Sequence, residues 1–184
     1  MITSQVIIQS LIYRKVINMK IEDVKREIME FARNNYVSPM GLLIGTGAAL
    51  VLHGLREECH DIDIEVEDYY FLPLKEEGME VVEFQCGLTG KTRELLRYEN
   101  IDVHRYGEFV VEDGELVAID GFLVHSVPTV YEMKKRLNRE KDQEDLRIME
   151  AYMDANGIKY KPQLKKLSDA LDNQCVNFTP NYSA

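Results

Sequence analysis

The order and spacing of apolar residues predict an α+β fold, a short mixed sheet flanked by helices with a C-terminal helical segment. Three observations carry this expectation. Residues 59–68, CHDIDIEVED, alternate acids with branched apolar residues in the way of a strand. The stretch MKIEDVKREIMEFARNN, starting at Met19, repeats apolar residues at helical intervals. Between Met79 and His125 several short β-type runs are separated by turn residues, and a long helical pattern follows.

Residues 1–18, MITSQVIIQSLIYRKVIN, carry no acid and read as an N-terminal extension. In the helix that follows, Ile21, Val24, Ile28, Phe31 and Ala32 share one face, and Asn34-Asn35 suits its end. GLLIGTGAALVLHGL starts as an apolar strand, breaks at Gly45-Thr46-Gly47 and continues as an Ala/Leu-rich helix to about Gly54. The acidic strand comes next. MEVVEFQC reads as a strand, TRELLRY and IDVHRYG as a hairpin around Glu99-Asn100, and GEFVVEDGELVAIDGFLVH as a hairpin turned at Asp113-Gly114. From Pro128 the pattern is helical with a stop at Gly157, and Pro162 is placed to open a last short helix. The divisions are therefore an extension (1–18), a core domain (19–127), a helical segment (128–172) and a polar tail (173–184).

A chain of 184 residues suits one well-buried core. Its 32 acids against 22 Lys and Arg, a net charge of −10, work against attraction to nucleic acid phosphates, so no DNA is expected and a cationic or neutral small partner is favoured. Cys59, Cys86 and Cys175 show no paired-ligand spacing, there is no secretory leader, and no apolar run is long enough to span a bilayer. The expectation is a cytoplasmic protein without a membrane partner.

The chemistry-bearing pattern lies in the acidic strand. Alternation places Asp61, Asp63 and Glu65 on one face and Ile62, Ile64 and Val66 on the other. Like charges two residues apart repel, so the arrangement costs stability unless something cationic sits between them. Carboxylates of this kind suit Mg²⁺, a hard ion that binds a few oxygens and keeps the rest of its shell for water and phosphate. The Gly-Thr-Gly turn ahead offers backbone N–H groups and close approach for an anion. Asp102, alternating with Ile101 and Val103, points away from the core if its strand lies beside the first. Three carboxylates around metal would serve an in-line phosphoryl displacement.

TGAALVLHG, then HDIDIEV, then IDVH, resemble the DNA polymerase beta-type nucleotidyltransferase superfamily, whose pattern is a glycine turn, an Asp-x-Asp strand and a later Asp. DGFLVHSVPTVYEMKKRLNREKDQEDLRIM is similar to the C-terminal signature of the small lincosamide- and aminoglycoside-type enzymes and their toxin/antitoxin-type relatives. The resemblance runs from about Met40 to Met153. It implies a nucleotidyltransferase fold, with residues 19–127 as catalytic domain, and transfer of a nucleoside monophosphate from an NTP to an acceptor hydroxyl with Mg²⁺ or Mn²⁺. It implies Asp61 and Asp63 as metal ligands, Asp102 as third ligand or base, and Thr46 and Gly47 as the phosphate cradle. The acceptor is expected to be a small molecule, with a protein side chain or a tRNA end as alternatives. An inactive nucleotide-binding module with this fold is the other reading. The chain departs from the pattern in having Thr46 where relatives often have Gly, Cys59 where Thr is common, and Glu57-Glu58 where basic residues are common.

Other residues are weighed against ordinary structural roles. GLTGKT, residues 87–92, lacks the first glycine of a phosphate loop, because that position is Gln85. His60 and His104 are read as facing away from the acids, in core or supporting roles, and His53 and His125 as structural. Glu65 stays open between solvation and function. Lys141 is read as solvated, and Lys134 as a candidate for the triphosphate.

Overall fold

The computed structural model describes residues 18–88, 90–106, 109–111, 116–158 and 164–166. Met19 pairs through its backbone with Cys59, which ties the start of the described chain to the segment before the acidic strand. Helix α1 (Ile21–Asn34) begins where the Asp23 carboxylate accepts the Lys20 N–H at 3.2 Å, and the chain leaves it through Tyr36 at φ 54°. Val24, Ile28, Phe31 and Ala32 are its buried face, as the sequence predicts. Each of the larger three stabilises the fold by roughly 2 kcal/mol through area removed from water.

Strand β1 (Leu43–Ile44) leads through Gly45 into α2 (Thr46–Leu52), and β2 (Ile62–Val66) carries the acids. Next comes α3 (Asp68–Glu76), a helix with no counterpart in the sequence reading. Pro73 lies inside it, where a missing N–H and ring bulk normally argue against a helix. Burial of Phe71 and Leu74 outweighs that penalty. Strands β3 (Glu80–Gln85), β4 (Thr92–Tyr98) and β5 (Ile101–Arg105) form a meander, and Tyr98 opposite Ile101 sets the expected two-residue turn at Glu99-Asn100.

The second hairpin differs from expectation. Strands β7 (Leu116–Ile119) and β8 (Phe122–His125) pair around Asp120-Gly121, both at positive φ as a tight hairpin turn requires. Asp113-Gly114 falls outside the described residues, and β6 (Phe109–Val111), just before it, pairs antiparallel with β9 (Leu164–Lys166). Residues 164–166 are thus extended, where the sequence reading has a last short helix; Pro162 itself lies outside the described residues. The long helical stretch is also divided. Helix α4 (Val127–Leu137) stops at Asn138 in the left-handed region, a 3₁₀ turn (Glu140–Asp142) follows, and α5 (Gln143–Ala155) runs on to Asn156. The extension up to Ile17 and the tail lie outside the described residues.

Seven strands make one mixed sheet in the order β3-β4-β5-β2-β1-β8-β7, with β2 parallel to β5, β1 parallel to β8 and the other neighbours antiparallel. One apolar cluster joins Ile44, Ile62, Ile64, Val66, Leu96, Ile101 and Val103 of the sheet to residues of all five helices. Leu43 and Leu95 are buried but stand outside that cluster, on the opposite face that carries the acids. No helix among the described residues is long and apolar enough to cross a membrane.

Candidate functional site

Asp63 on β2 and Asp102 on β5 are register partners in adjacent parallel strands. Because paired residues share a face, both carboxylates stand on the side away from the apolar cluster. Asp61 precedes the strand by one residue and belongs by alternation to the same row. The Gly45-Thr46-Gly47 turn is fastened to this row twice: Gly45 N–H donates to the Asp63 carbonyl at 2.9 Å, and the Thr46 hydroxyl donates to Asp63 Oδ2. Three of the expected residues, Asp63, Asp102 and Thr46, are therefore brought to one place, with Gly47 next to Thr46 in the chain and Asp61 one residue before the strand.

Thr46 has φ 45°, a left-handed conformation that is an outlier for a β-branched residue and comfortable for glycine. This gives a backbone reason for glycine where the resembled family often has it. At Gly47 the argument reverses. An added Cβ there would meet Arg56 Nη1 and Cys59 Cβ at 3.6 Å, an ordinary contact distance, so the protein's own packing does not require glycine.

Each of the two registered acids has a hydrogen-bond donor beside it, arginine at one and histidine at the other. Arg97 forks onto Asp102, Nε to Oδ1 at 3.0 Å and Nη2 to Oδ2 at 3.4 Å. His104 Nε2 donates to Asp63 Oδ1 at 3.2 Å. Burial works against charge on His104, but the Asp63 hydrogen bond and the charges of Asp63, Glu65 and Asp102 outweigh it and hold its pKa above the usual histidine value. The expectation that His104 faces away from the acids is overturned: it lies two residues from Asp102, hence on the same face, and its ring stands nearly perpendicular to that of Phe84 with centroids 5.6 Å apart. Beside it opens a cavity of about 350 Å³ lined by Phe84, Thr92, Arg93, Glu94, His104 and Arg105, among others.

Glu65 is buried, not solvated: His125 Nε2 donates to its Oε1 at 3.1 Å, and His53 Nε2 donates to the His125 carbonyl at 2.9 Å. Lys134 is buried as well. Its ammonium contacts Asp142 at 2.7 Å and Asp145 at 2.9 Å, while Arg139 also engages Asp142. Asp145 in turn holds Arg56 Nη1 at 3.3 Å. Lys134 thus reaches the Gly47 turn through Asp145 and Arg56, its own charge being committed to two carboxylates.

Asp61, Asp63 and Asp102 offer the all-oxygen donor set that Mg²⁺ or Mn²⁺ takes, and in type and placement on one face they fit such an ion. Among the described residues, no three acid, His or Cys side chains are already gathered into a cation cage. Sequence reasoning missed Arg97, Arg56 and the true side of His104. Signals for two of them were present: the two-residue turn at Glu99-Asn100 fixes Arg97 opposite Asp102, and a period of two puts His104 with Asp102. Comparison of the chain with family models, with curated proteins and with solved structures gives no match.

Proposed function

We propose that the chain is a metal-dependent nucleotidyltransferase of the DNA polymerase beta type, moving a nucleoside monophosphate from an NTP to a hydroxyl of a small molecule and releasing pyrophosphate. The observation that carries this reading is the Asp63–Asp102 register, with the Thr46 turn bonded to the same Asp63 carboxylate. An acid pair alone is common, but an acid pair fastened to a strained, glycine-flanked turn is not explained by packing. A divalent ion bound by Asp61, Asp63 and Asp102 would neutralise charge on the transferring phosphoryl group and the leaving pyrophosphate.

In this scheme the acceptor oxygen bonds to the α-phosphorus as the bond to the pyrophosphate oxygen breaks. Thr46 and Gly47 lie on the phosphate side, where the missing Gly47 side chain admits a close approach. Arg56, whose Nη1 lies 3.6 Å from where a Cβ at that position would stand, adds positive charge, and Asp145, itself bound by Lys134, holds it there. Asp102 acts as third ligand or accepts the hydroxyl proton. The cavity beside His104 has the size of a small-molecule site and lies next to the residue that bonds Asp63, which supports a small acceptor over a macromolecular one. The balance of 32 acids to 22 bases points the same way for tRNA.

A second reading, a nucleotide-binding module without transfer, is favoured by one observation, the ion pairing of Asp63 and Asp102 to His104 and Arg97. One experiment separates the two: incubation with each labelled NTP, Mg²⁺ or Mn²⁺ and a panel of hydroxyl acceptors, scored for labelled product and pyrophosphate. Transfer that falls about a thousandfold in Asp63→Asn, roughly 4 kcal/mol of transition-state stabilisation, supports the enzyme. Nucleotide binding with no pyrophosphate from any NTP supports the module.

A further inference from the structure

Arg97 stands in the middle of a cross-strand row. On one side its register partner is Asp102 of β5, and on the other it is Glu80 of β3. Directly opposed residues have Cβ atoms about 5 Å apart, so one guanidinium can reach either acid without backbone movement. At present it forks onto Asp102, which is nearly buried, while Glu80 is exposed and adds a favourable charge to Arg97 from the far side. A cation bound at Asp102 would need a carboxylate oxygen that the guanidinium now engages, because the fork takes both Oδ1 and Oδ2.

We propose that Arg97 is a two-position cation that competes with the divalent ion for Asp102, forking onto Asp102 in the metal-free protein and crossing to Glu80 when the ion arrives. The inference rests on the metal-site reading above. It accounts for two features together: the charge of Asp102 is countered from within the sheet, and the row ends in an exposed acid that would receive the displaced guanidinium. If Arg97 holds Asp102 in about nine molecules of ten, the apparent affinity for the ion is about tenfold weaker than the site's own.

The test is calorimetric titration of Mn²⁺ into nucleotide-free protein, with circular dichroism and melting of every variant as a check on folding. Arg97→Gln is expected to bind Mn²⁺ about five- to tenfold more tightly than the parent, and Glu80→Gln about threefold more weakly. In the Arg97→Gln background, Glu80→Gln is expected to change little, because the acid matters only as a seat for Arg97. Arg97→Lys keeps the charge without the fork, is expected to fall between, and stands in if Arg97→Gln does not fold. An unchanged or weaker affinity in the Arg97 variants, or an equal effect of Glu80→Gln in both backgrounds, overturns the proposal. Asp63→Asn separates the two layers. If it abolishes Mn²⁺ binding while the Arg97 variants match the parent, only the Arg97 inference fails; if it binds like the parent, or if no protein binds Mn²⁺, the metal site and the inference fall together.

Discussion

Thr46 reaches Asp63 with its hydroxyl from a backbone held at φ 45°. Two opposed terms meet at this residue. The left-handed conformation costs on the order of 1–3 kcal/mol for a residue with a Cβ, and a hydrogen bond to a carboxylate returns roughly 1.5–3 kcal/mol. Thr46→Gly removes both terms and is expected to leave stability within about 1 kcal/mol of the parent. Thr46→Val keeps the strain and loses the bond, and is expected to cost about 2 kcal/mol. Urea unfolding of the three proteins checks this, and a valine variant as stable as the parent would show that the hydroxyl contributes nothing.

The Arg97–Asp102 fork changes the sign of an expectation raised by the acids alone. Taken by themselves, three like charges should destabilise the metal-free fold, so that neutralising one would help. The structure supplies partners, Arg97 for Asp102 and His104 for Asp63. Asp102→Asn therefore costs Arg97 its two-oxygen fork and leaves it only the exposed Glu80, and is expected to lower the melting temperature in EDTA by the equivalent of about 1 kcal/mol given Arg97's partial exposure. A higher melting temperature than the parent in EDTA would restore the repulsion argument.

How much of this was legible in the sequence depended on whether a feature was local. Alternation in residues 61–66 and the helical spacing from Ile21 to Ala32 gave their faces correctly, because burial follows directly from period. The second hairpin was misplaced because two Asp-Gly pairs lie within nine residues, and the choice between them rests on which strand finds a neighbour in the sheet. Helix α3 was hidden by Pro73, whose local cost is overridden by tertiary burial of Phe71 and Leu74. The break at Asn138 is a left-handed cap whose N–H returns to the Lys134 carbonyl, a conformation Asn tolerates but one that does not stand out within an otherwise continuous helical pattern. In the site, the acids and the turn were legible; Arg97 and His104 were readable from the two-residue turn and the period of two, while Arg56 is placed by a contact to Asp145 that only the fold makes.

Cys59 has its thiol pushed up to about 12, by burial first and then by the nearby charge of Asp61. The thiolate is the reacting species, so this cysteine is expected to resist iodoacetamide in the native protein near neutral pH and to react only in denaturant. Peptide mass spectrometry after timed labelling reads this directly. Rapid native labelling of Cys59 would mean that the Met19–Cys59 backbone bridge opens readily.

The clearest dependence on pH should come from Asp142, which is 1% exposed between Lys134 and Arg139. Burial pushes its carboxyl up, but the hydrogen bonds and charges of Arg139 and Lys134 outweigh burial and hold it below the usual aspartate range. A folded pKa below the unfolded one means that the unfolded chain takes up the proton first as pH falls. The stabilisation is therefore fully present above about pH 4, where an unfolded aspartate is ionised, and is lost as the pH drops through the folded value. Removing one partner of a buried ion cluster typically costs about 3–5 kcal/mol. Asp142→Asn, which leaves Lys134 with Asp145 alone, is expected at the lower end of that range at pH 7. The difference from the parent should shrink at acid pH, since the parent's own carboxyl is then being protonated. Urea unfolding of both proteins at about pH 7, 5 and 3 follows this convergence; a gap that stays constant down to the lowest pH would show that the loss comes from packing and not from the charge of Asp142.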